Sequence, residues 1–189
     1  MFNQKTFKNE QPLFYIIATP IGNIEDFTFR AINVLKKEID ILLCEDTRVT
    51  KKLLNYYEID VKTKSYHEYS TDKDIDNIID LINKGNKLGL VSDAGMPGIA
   101  DPGYKLIKKL QENNINVVVL PGACASINAL IGSGAINNRF QFIGFLNKQL
   151  GKKEKEIKEI LNYKGSTIIY ESPHKLMKTL KIIKKIMKI

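Results

Sequence analysis

The chain has 189 residues, of which 43% are hydrophobic and 26% are charged, so it has enough apolar residues for a globular core. No apolar run approaches the roughly 18–20 residues that a membrane helix needs, and the polar first twelve residues do not resemble a signal peptide. Cys44 and Cys124 have no C-x-x-C partner, which argues against a disulfide framework or a zinc site and predicts a cytoplasmic protein.

The net charge of +8 is unevenly distributed along the chain. Residues 1–146 contain 17 Lys and Arg against 17 Asp and Glu, whereas residues 147–189 contain 12 Lys against 4 Glu. A basic segment of this kind is typical of proteins that bind a polyanion such as nucleic acid. A generally Lys-rich composition is an equally good explanation from the charge alone.

Apolar runs alternate with amphipathic stretches in the first two thirds of the chain. Uninterrupted apolar centres predict buried strands within residues 13–19, 40–46, 87–93 and 116–122. Apolar stripes at helical spacing predict helices over residues 24–37, 74–84 and 104–113. This order predicts an α/β fold with a mostly parallel sheet and helices on both faces.

The pattern changes after Pro121. A helix rich in small residues is predicted over 124–135, followed by strands at 139–145 and 166–172 and a charged helix at 152–162. The last helix begins at Pro173, with Ser172 as its N-cap. We therefore expect a first α/β domain at 1–122 and a second at 123–189. The second is expected to be truncated, because the chain stops inside a Lys- and Ile-rich helix with no closing strand.

Four loops rich in glycine, proline and small residues follow the predicted strands of the first domain. They cover residues 18–23, 44–48, 92–98 and 121–126. Ligands of parallel sheets bind at the carboxyl ends of the strands, and small residues let a ligand approach the main chain. For any one of these loops, the common role of glycine and proline in ending a strand or helix is a sufficient explanation. Together, the four predict a ligand site at one sheet edge.

Common catalytic motifs are absent from the sequence. It contains no G-x-x-x-x-G-K-[ST], no G-x-G-x-x-G and no G-x-S-x-G, which argues against a P-loop hydrolase, a nicotinamide fold and a serine hydrolase. The two histidines, His67 and His174, are too few for most metal sites, so we predict no metal.

Several blocks resemble the small-subunit ribosomal RNA methyltransferase I family, a branch of the tetrapyrrole methylase superfamily. The most specific are ATPIGN (18–23), EDTR (45–48), SDAGMPGIADPG (92–103) and YESPH (170–174), in the family's order and spacing. The resemblance implies class III methyltransferase-like architecture, with two α/β domains, S-adenosylmethionine in the cleft between them, and a homodimer. It also implies 2′-O-methylation of a cytidine ribose in the decoding region of 16S ribosomal RNA, either free or in the small ribosomal subunit.

The resemblance carries cofactor contacts over by position. They fall on Pro20, Ser92, Asp93, Gly95, Met96, Ile99, Cys124, Ala125, Tyr170 and Glu171. The sequence departs from the family pattern at Met96, where the family usually has Thr, and at Ala123 and Cys124, where it has Pro-Ser. The loss of the Ser hydroxyl is expected to weaken cofactor binding. The C-terminal segment of the family is also missing.

Methyl transfer from a sulfonium is a displacement in which the protein mainly aligns donor and acceptor. A nearby carboxylate or imidazole is expected to take the proton of the ribose hydroxyl. Candidates from the predicted strand ends are Glu45, Asp46, His67, Glu68 and Asp93. Structural roles are the alternative, with Asp46 as the cap of a helix that begins near Thr47 and Asp93 as a support of its own loop.

The final helix is the predicted RNA-binding element. Residues 175–188 contain six Lys and no acid, and Lys178, Lys181 and Lys185 share one face at three- and four-residue spacing. Two other functions remain open. One is a methyltransferase of the same superfamily that acts on a small tetrapyrrole, and the other is a non-catalytic RNA-binding remnant.

Overall fold

A computed structural model of the chain describes residues 13–135 and 138–188. These residues form two compact units that divide between Cys124 and Ala125. The domain boundary after residue 122 and the cofactor cleft stay predictions. The first twelve residues, for which no signal peptide is predicted, lie outside the described residues.

The first unit alternates strands with helices. Its strands are β1 (Leu13–Ile17), β2 (Ile41–Cys44), β3 (Lys62–Ser65), β4 (Leu88–Val91) and β5 (Asn116–Leu120). Its helices are α1 (Phe29–Lys37), α2 (Thr47–Tyr56), α3 (Asp72–Asn83) and α4 (Tyr104–Glu112). All neighbouring strands pair in parallel, in the order β3-β2-β4-β1-β5. The predicted α/β fold with a mostly parallel sheet is confirmed.

Helices cover both faces of this sheet. Consecutive side chains of a strand point to opposite faces, so β1 contributes to two cores. Phe14 and Ile16 pack with apolar residues of α3 and α4, whereas Tyr15 and Ile17 pack with those of α1 and α2. Burial on both faces explains why the strand centres carry uninterrupted apolar runs.

Two details of the first unit differ from the prediction. The helix expected over 24–37 is interrupted, because Phe27 and Thr28 are extended between a short 3-10 turn (Ile24–Asp26) and α1. The Thr28 hydroxyl accepts a hydrogen bond from the Ala31 N–H and starts α1 as its N-cap. The strand β3 was not predicted, because its sequence KTKS has no apolar residue.

The second unit begins with α5 (Ala125–Gly132) and continues with β6 (Phe140–Phe145), α6 (Leu150–Leu161), β7 (Ser166–Tyr170) and α7 (Pro173–Met187). The strands β6 and β7 pair in parallel, with an irregularity at Ile143. Ser172 is the N-cap of α7, as predicted, but its side chain makes no capping hydrogen bond. No helix in the described part of the chain is long and apolar enough to cross a membrane.

Candidate functional site

The predicted ligand loops of the first unit follow β1, β2, β4 and β5, which are neighbours in the sheet. Because these strands are parallel, the loops leave the same edge. The first unit contains the fourth loop as far as Cys124, where the unit ends. The structure therefore brings the predicted loop residues of this unit together at one edge.

The first and third loops are hydrogen-bonded to each other. Thr19 and Gly95 form an isolated antiparallel bridge in which each N–H donates to the other carbonyl, at 2.9 and 3.1 Å. The Thr19 hydroxyl donates to the carbonyl of Ser92 (3.1 Å), and the buried Ser92 hydroxyl donates to the carbonyl of Gly95 (3.2 Å). These bonds fix the shape of the third loop before any ligand binds.

Two glycines allow the loops to approach closely. Gly95 has a φ of +87°, and a Cβ there would lie 3.2 Å from Cγ2 of Ile21. A Cβ on Gly122, in the fourth loop, would lie 2.6 Å from the Cβ of Ala18 in the first. Part of the glycine content therefore serves loop-on-loop packing, which the sequence alone does not distinguish from contact with a ligand.

A pocket of about 170 Å³ opens between these loops. Pro20, Gly22, Ser92 and Asp93 contribute to its lining, together with Val49 of α2. The mixture of main chain, small polar side chains and an apolar wall suits a nucleoside-like group. Its volume is below the ~300 Å³ at which sites for whole drug-sized ligands begin.

The second loop is joined to the third through two acidic residues. The Asp93 carboxylate accepts a hydrogen bond from the Asp46 N–H at 3.0 Å, so it supports the neighbouring loop rather than its own. The Asp46 carboxylate caps α2 through the Arg48 N–H and pairs with the Arg48 guanidinium at 2.6 Å. The hydrogen bonds from Arg48 lower the pKa of Asp46 to about 2.

Three of the five predicted proton acceptors meet in a second pocket of about 490 Å³. Glu45, His67 and Glu68 line it together with Tyr69 and Asp101. The rings of His67 and Tyr69 lie edge to face at 5.9 Å, and Tyr69 is 80% exposed. Asp46 and Asp93 are not among its lining residues.

Asp101 was missed by the sequence analysis. Burial, followed by the negative charge of Glu45, raises the pKa of its carboxyl to about 6. Burial also raises the pKa of Glu45. The only signal in the sequence was the position of Asp101 inside the block SDAGMPGIADPG, where an Asp before Pro also fits an ordinary turn.

The remaining cofactor candidates of the first unit are Met96, Ile99 and Cys124. Met96 packs against the core that contains α3 and α4, so its main chain rather than its side chain is left for a ligand. The core thereby accommodates the Met96 side chain at a position where the family usually has Thr. Ile99 and Cys124 are half-buried.

The candidates of the second unit lie at the start of α5 and the end of β7. The Tyr170 hydroxyl accepts a hydrogen bond from the N–H of Ser126 at 3.1 Å, next to the exposed Ala125. Both carboxylate oxygens of Glu171 are engaged. One accepts from the Ser172 N–H (2.9 Å), and the other accepts from the Thr179 hydroxyl (2.7 Å) and pairs with the Lys153 ammonium (3.2 Å).

A pocket of about 300 Å³ lies at the carboxyl ends of β6 and β7. Of the predicted RNA contacts, Lys178 lines this pocket, whereas Lys181 and Lys185 are exposed further along α7. Within residues 13–135 and 138–188, no three His, Cys, Asp or Glu side chains are grouped as metal ligands.

Residues 13–188 match the sequence model of the tetrapyrrole (corrin/porphyrin) methylases. The chain belongs to this family, and the predicted resemblance is confirmed. A cobalamin biosynthetic enzyme, cobalt precorrin-4 methyltransferase, has a similar fold, with a TM-score of 0.64 at 15% identity over 92% of this chain and 74% of that chain.

Curated relatives are more similar in sequence. The chain is 47% identical to ribosomal RNA small subunit methyltransferase I of Halalkalibacterium halodurans, over 92% of this chain and 60% of the relative. It is 43% identical to the protein of the same name from Bacillus subtilis, over 95% of this chain and 61% of the relative. The chain thus spans about 60% of the length of these relatives.

Proposed function

We propose that this protein takes part in S-adenosylmethionine-dependent methylation of small-subunit ribosomal RNA, at the 2′-hydroxyl of a cytidine in the decoding region of 16S RNA. The observation that carries the proposal is the convergence of four loops on one edge of a parallel sheet, in a member of the tetrapyrrole methylase family. The names of the curated relatives support ribosomal RNA as the substrate. The 2′-hydroxyl and the cytidine rest on the motif resemblance.

The proposed cofactor contacts of the first unit are Pro20, Ser92, Asp93, Gly95, Cys124 and the main chain of Met96 and Ile99. Those proposed for the second unit are Ala125 and Tyr170. When bound, S-adenosylmethionine supplies a methyl group on a positively charged sulfur. The prebuilt bonds between Thr19, Ser92 and Gly95 keep the loop main chain in place, which lowers the ordering cost of binding. Glu171 acts indirectly, by fixing the end of β7 next to Tyr170.

The pocket around Asp101 is the proposed acceptor site. A carboxylate with a pKa of about 6 is mostly ionised at neutral pH, yet basic enough to receive the proton of the ribose hydroxyl. Glu45, His67 and Glu68 are the other candidates at this pocket. Asp46 is a poor proton acceptor, because its carboxylate is held by Arg48.

Lys178, Lys181 and Lys185 are proposed to contact RNA phosphates on the free RNA or on the small subunit. A homodimer and a cytoplasmic location complete the proposal.

Methylation of a tetrapyrrole is the competing enzyme function, and the fold shared with cobalt precorrin-4 methyltransferase is compatible with it.

Cofactor binding is the first test. Asp93→Asn keeps an oxygen that can accept from the Asp46 N–H but removes the charge, so we expect calorimetry to show an affinity for S-adenosylmethionine lowered about tenfold. Asp76→Asn, on the exposed side of α3, is the matched control and should bind like wild type. A wild-type protein that binds RNA but no S-adenosylmethionine would instead be a non-catalytic RNA-binding module.

The acceptor is tested by nucleoside mass spectrometry of ribosomal RNA from cells with and without the gene. Loss of one 2′-O-methylcytidine from 16S RNA on deletion, and its return on complementation, is the expected result. An unchanged nucleoside profile, together with methyl transfer to a tetrapyrrole in vitro, would replace this proposal with the competing function.

A further inference from the structure

The pocket at the carboxyl ends of β6 and β7 has a strongly basic lining. Lys148, Lys153, Lys175 and Lys178 contribute to it, with Glu171 as the acidic member. Lys153 is neutralised by Glu171, and both side chains of this pair are only 12% exposed. Three lysines are therefore left to give the pocket its net positive charge. None of the ion pairs found between described residues includes Lys148, Lys175 or Lys178.

The same pocket has an aromatic wall. Phe145 is 60% exposed, and its ring lies 5.8 Å from that of Tyr170, which supports it from the side. Leu146 and Ile182 add apolar surface to the lining. An exposed aromatic ring beside ammonium groups is the combination with which proteins bind single-stranded nucleic acid, because the base stacks while the phosphate is neutralised.

The start of α7 reinforces the preference for an anion. Ser172 lines the pocket, and its hydroxyl makes no capping hydrogen bond. The first turn of this 15-residue helix contains no acidic residue, so the positive end of the helix dipole is not neutralised within it. Both oxygens of Glu171 are occupied by its protein partners, which keeps that carboxylate in place within the basic lining.

We propose that this pocket binds one nucleotide of single-stranded RNA, with the phosphate against Lys148, Lys175 and Lys178 and the base against Phe145. The inference rests on the proposed function, since it assigns part of the RNA substrate to a defined site. It also separates Lys178, which lines the pocket, from Lys181 and Lys185, which are exposed further along α7.

Calorimetry with cytidine 3′,5′-bisphosphate and with inorganic pyrophosphate tests the site. Lys148→Gln/Lys175→Gln should lower the affinity for both ligands at least about tenfold, because two of the three uncompensated charges are removed. Lys152→Gln/Lys158→Gln removes the same charge from exposed positions of α6 and should stay within about twofold of wild type. Phe145→Ala should lower the affinity for the bisphosphate about tenfold and leave the affinity for pyrophosphate unchanged, because only the bisphosphate carries a base to stack.

Competition links the pocket to RNA. The bisphosphate should displace a short single-stranded RNA from wild type and should fail to do so from Lys148→Gln/Lys175→Gln. Equal bisphosphate affinity in wild type and in the double variant would overturn the nucleotide site. The same holds if Phe145→Ala weakens both ligands alike, since the base would then play no part. S-adenosylmethionine affinity of the wild type, measured in parallel, reports separately on the proposed function.

Discussion

At the scale of single residues, the candidate acceptor pocket is set by carboxyl groups that the fold places close together. Glu45 follows β2 and Asp101 follows β4, and burial raises the pKa of both carboxyl groups. The negative charge of Glu45 raises the pKa of Asp101 further. Neither residue carries a sequence signal for this, because its environment depends on which strands become neighbours. Asp46, next to Glu45 in sequence, has its pKa lowered to about 2 by Arg48 instead.

Asp101→Asn is expected to change how stability depends on pH. A carboxyl whose folded pKa is raised to about 6 favours the native state below pH 4, and this contribution is lost as the pH rises through 6. The amide variant cannot ionise, so it should gain about 1 kcal/mol over wild type at pH 7.5, after allowance for solvent screening, and little at pH 4. Urea unfolding at both pH values measures the difference.

Asp76→Asn serves as the control for this experiment, since Asp76 is exposed on α3. Its pH dependence should parallel that of wild type. If Asp101→Asn behaves in the same way, the carboxyl of Asp101 does not titrate with a raised pKa in the native state.

Gly95→Ala is expected to destabilise the first unit. A side chain at a φ of +87° is strained, and the new Cβ would crowd Ile21 at 3.2 Å beside the Thr19 bridge. The strain alone costs about 1–2 kcal/mol of unfolding free energy. Gly85→Ala provides the control, because Gly85 has a similar φ of +91° with nothing within 4 Å of the new Cβ. Urea unfolding should show the larger loss for Gly95→Ala, and equal losses would mean that the close contact has no cost.

At the scale of elements, the sequence predicted the strands that have an apolar run. It missed structure that leaves no such signal in the sequence. Strands β1, β2 and β4 were predicted because both faces of each are covered, which requires continuous apolar runs. The edge strand β5 was predicted from its apolar run as well, although Val119 in it is 55% exposed. At the opposite edge, β3 is held by its hydrogen-bonded ladder to β2 and carries no apolar run. Likewise, the apolar stripe of residues 24–37 continues through Phe27 although the helix does not, because Phe27 is buried from an extended backbone.

The contact between β7, α6 and α7 depends on the Glu171, Lys153 and Thr179 cluster. Because the ion pair is largely buried, a double-mutant cycle of Lys153→Met and Glu171→Gln should give a coupling energy of about 1–3 kcal/mol. The exposed pair Lys155 and Glu159 on α6, with Nζ and Oε1 3.9 Å apart, should give no more than about 0.5 kcal/mol. Equal coupling in the two cycles, measured by urea unfolding, would mean that burial adds nothing to the inner pair.

At the scale of the whole molecule, the alternation of strands and helices was sufficient to predict the class of fold and the sheet edge that carries the loops. The bonds between the residues of the candidate site were harder to predict from the sequence. Ser92, Asp93 and Gly95 were named from the motif, but their bonds to Thr19 and Asp46 come from strand order. The bonds of Glu171 to Lys153 and Thr179 were not predicted either, because these partners come from two helices that a linear motif does not relate.

The charge asymmetry of the molecule leads to a prediction about RNA binding. Residues 1–146 have no net charge, and the excess of +8 lies in residues 147–189. Each phosphate contact to single-stranded RNA contributes about 0.7 to the slope of log affinity against log salt concentration. Lys178→Gln/Lys181→Gln/Lys185→Gln should therefore weaken binding and flatten that slope by about 2, with no change in affinity for S-adenosylmethionine.

The matched variant for this prediction is Lys152→Gln/Lys155→Gln/Lys158→Gln, which removes the same charge from α6. Glutamates 154, 156 and 159 share this helix, and Lys155 already pairs with Glu159, so the removed charges are partly compensated before RNA binds. The slope should change by less than about 1 in this variant. Fluorescence anisotropy of a labelled single-stranded RNA at several salt concentrations measures both slopes. If they flatten equally, RNA responds to the net charge of residues 147–189 and not to the face of α7, and the three lysines lose their assignment as specific phosphate contacts.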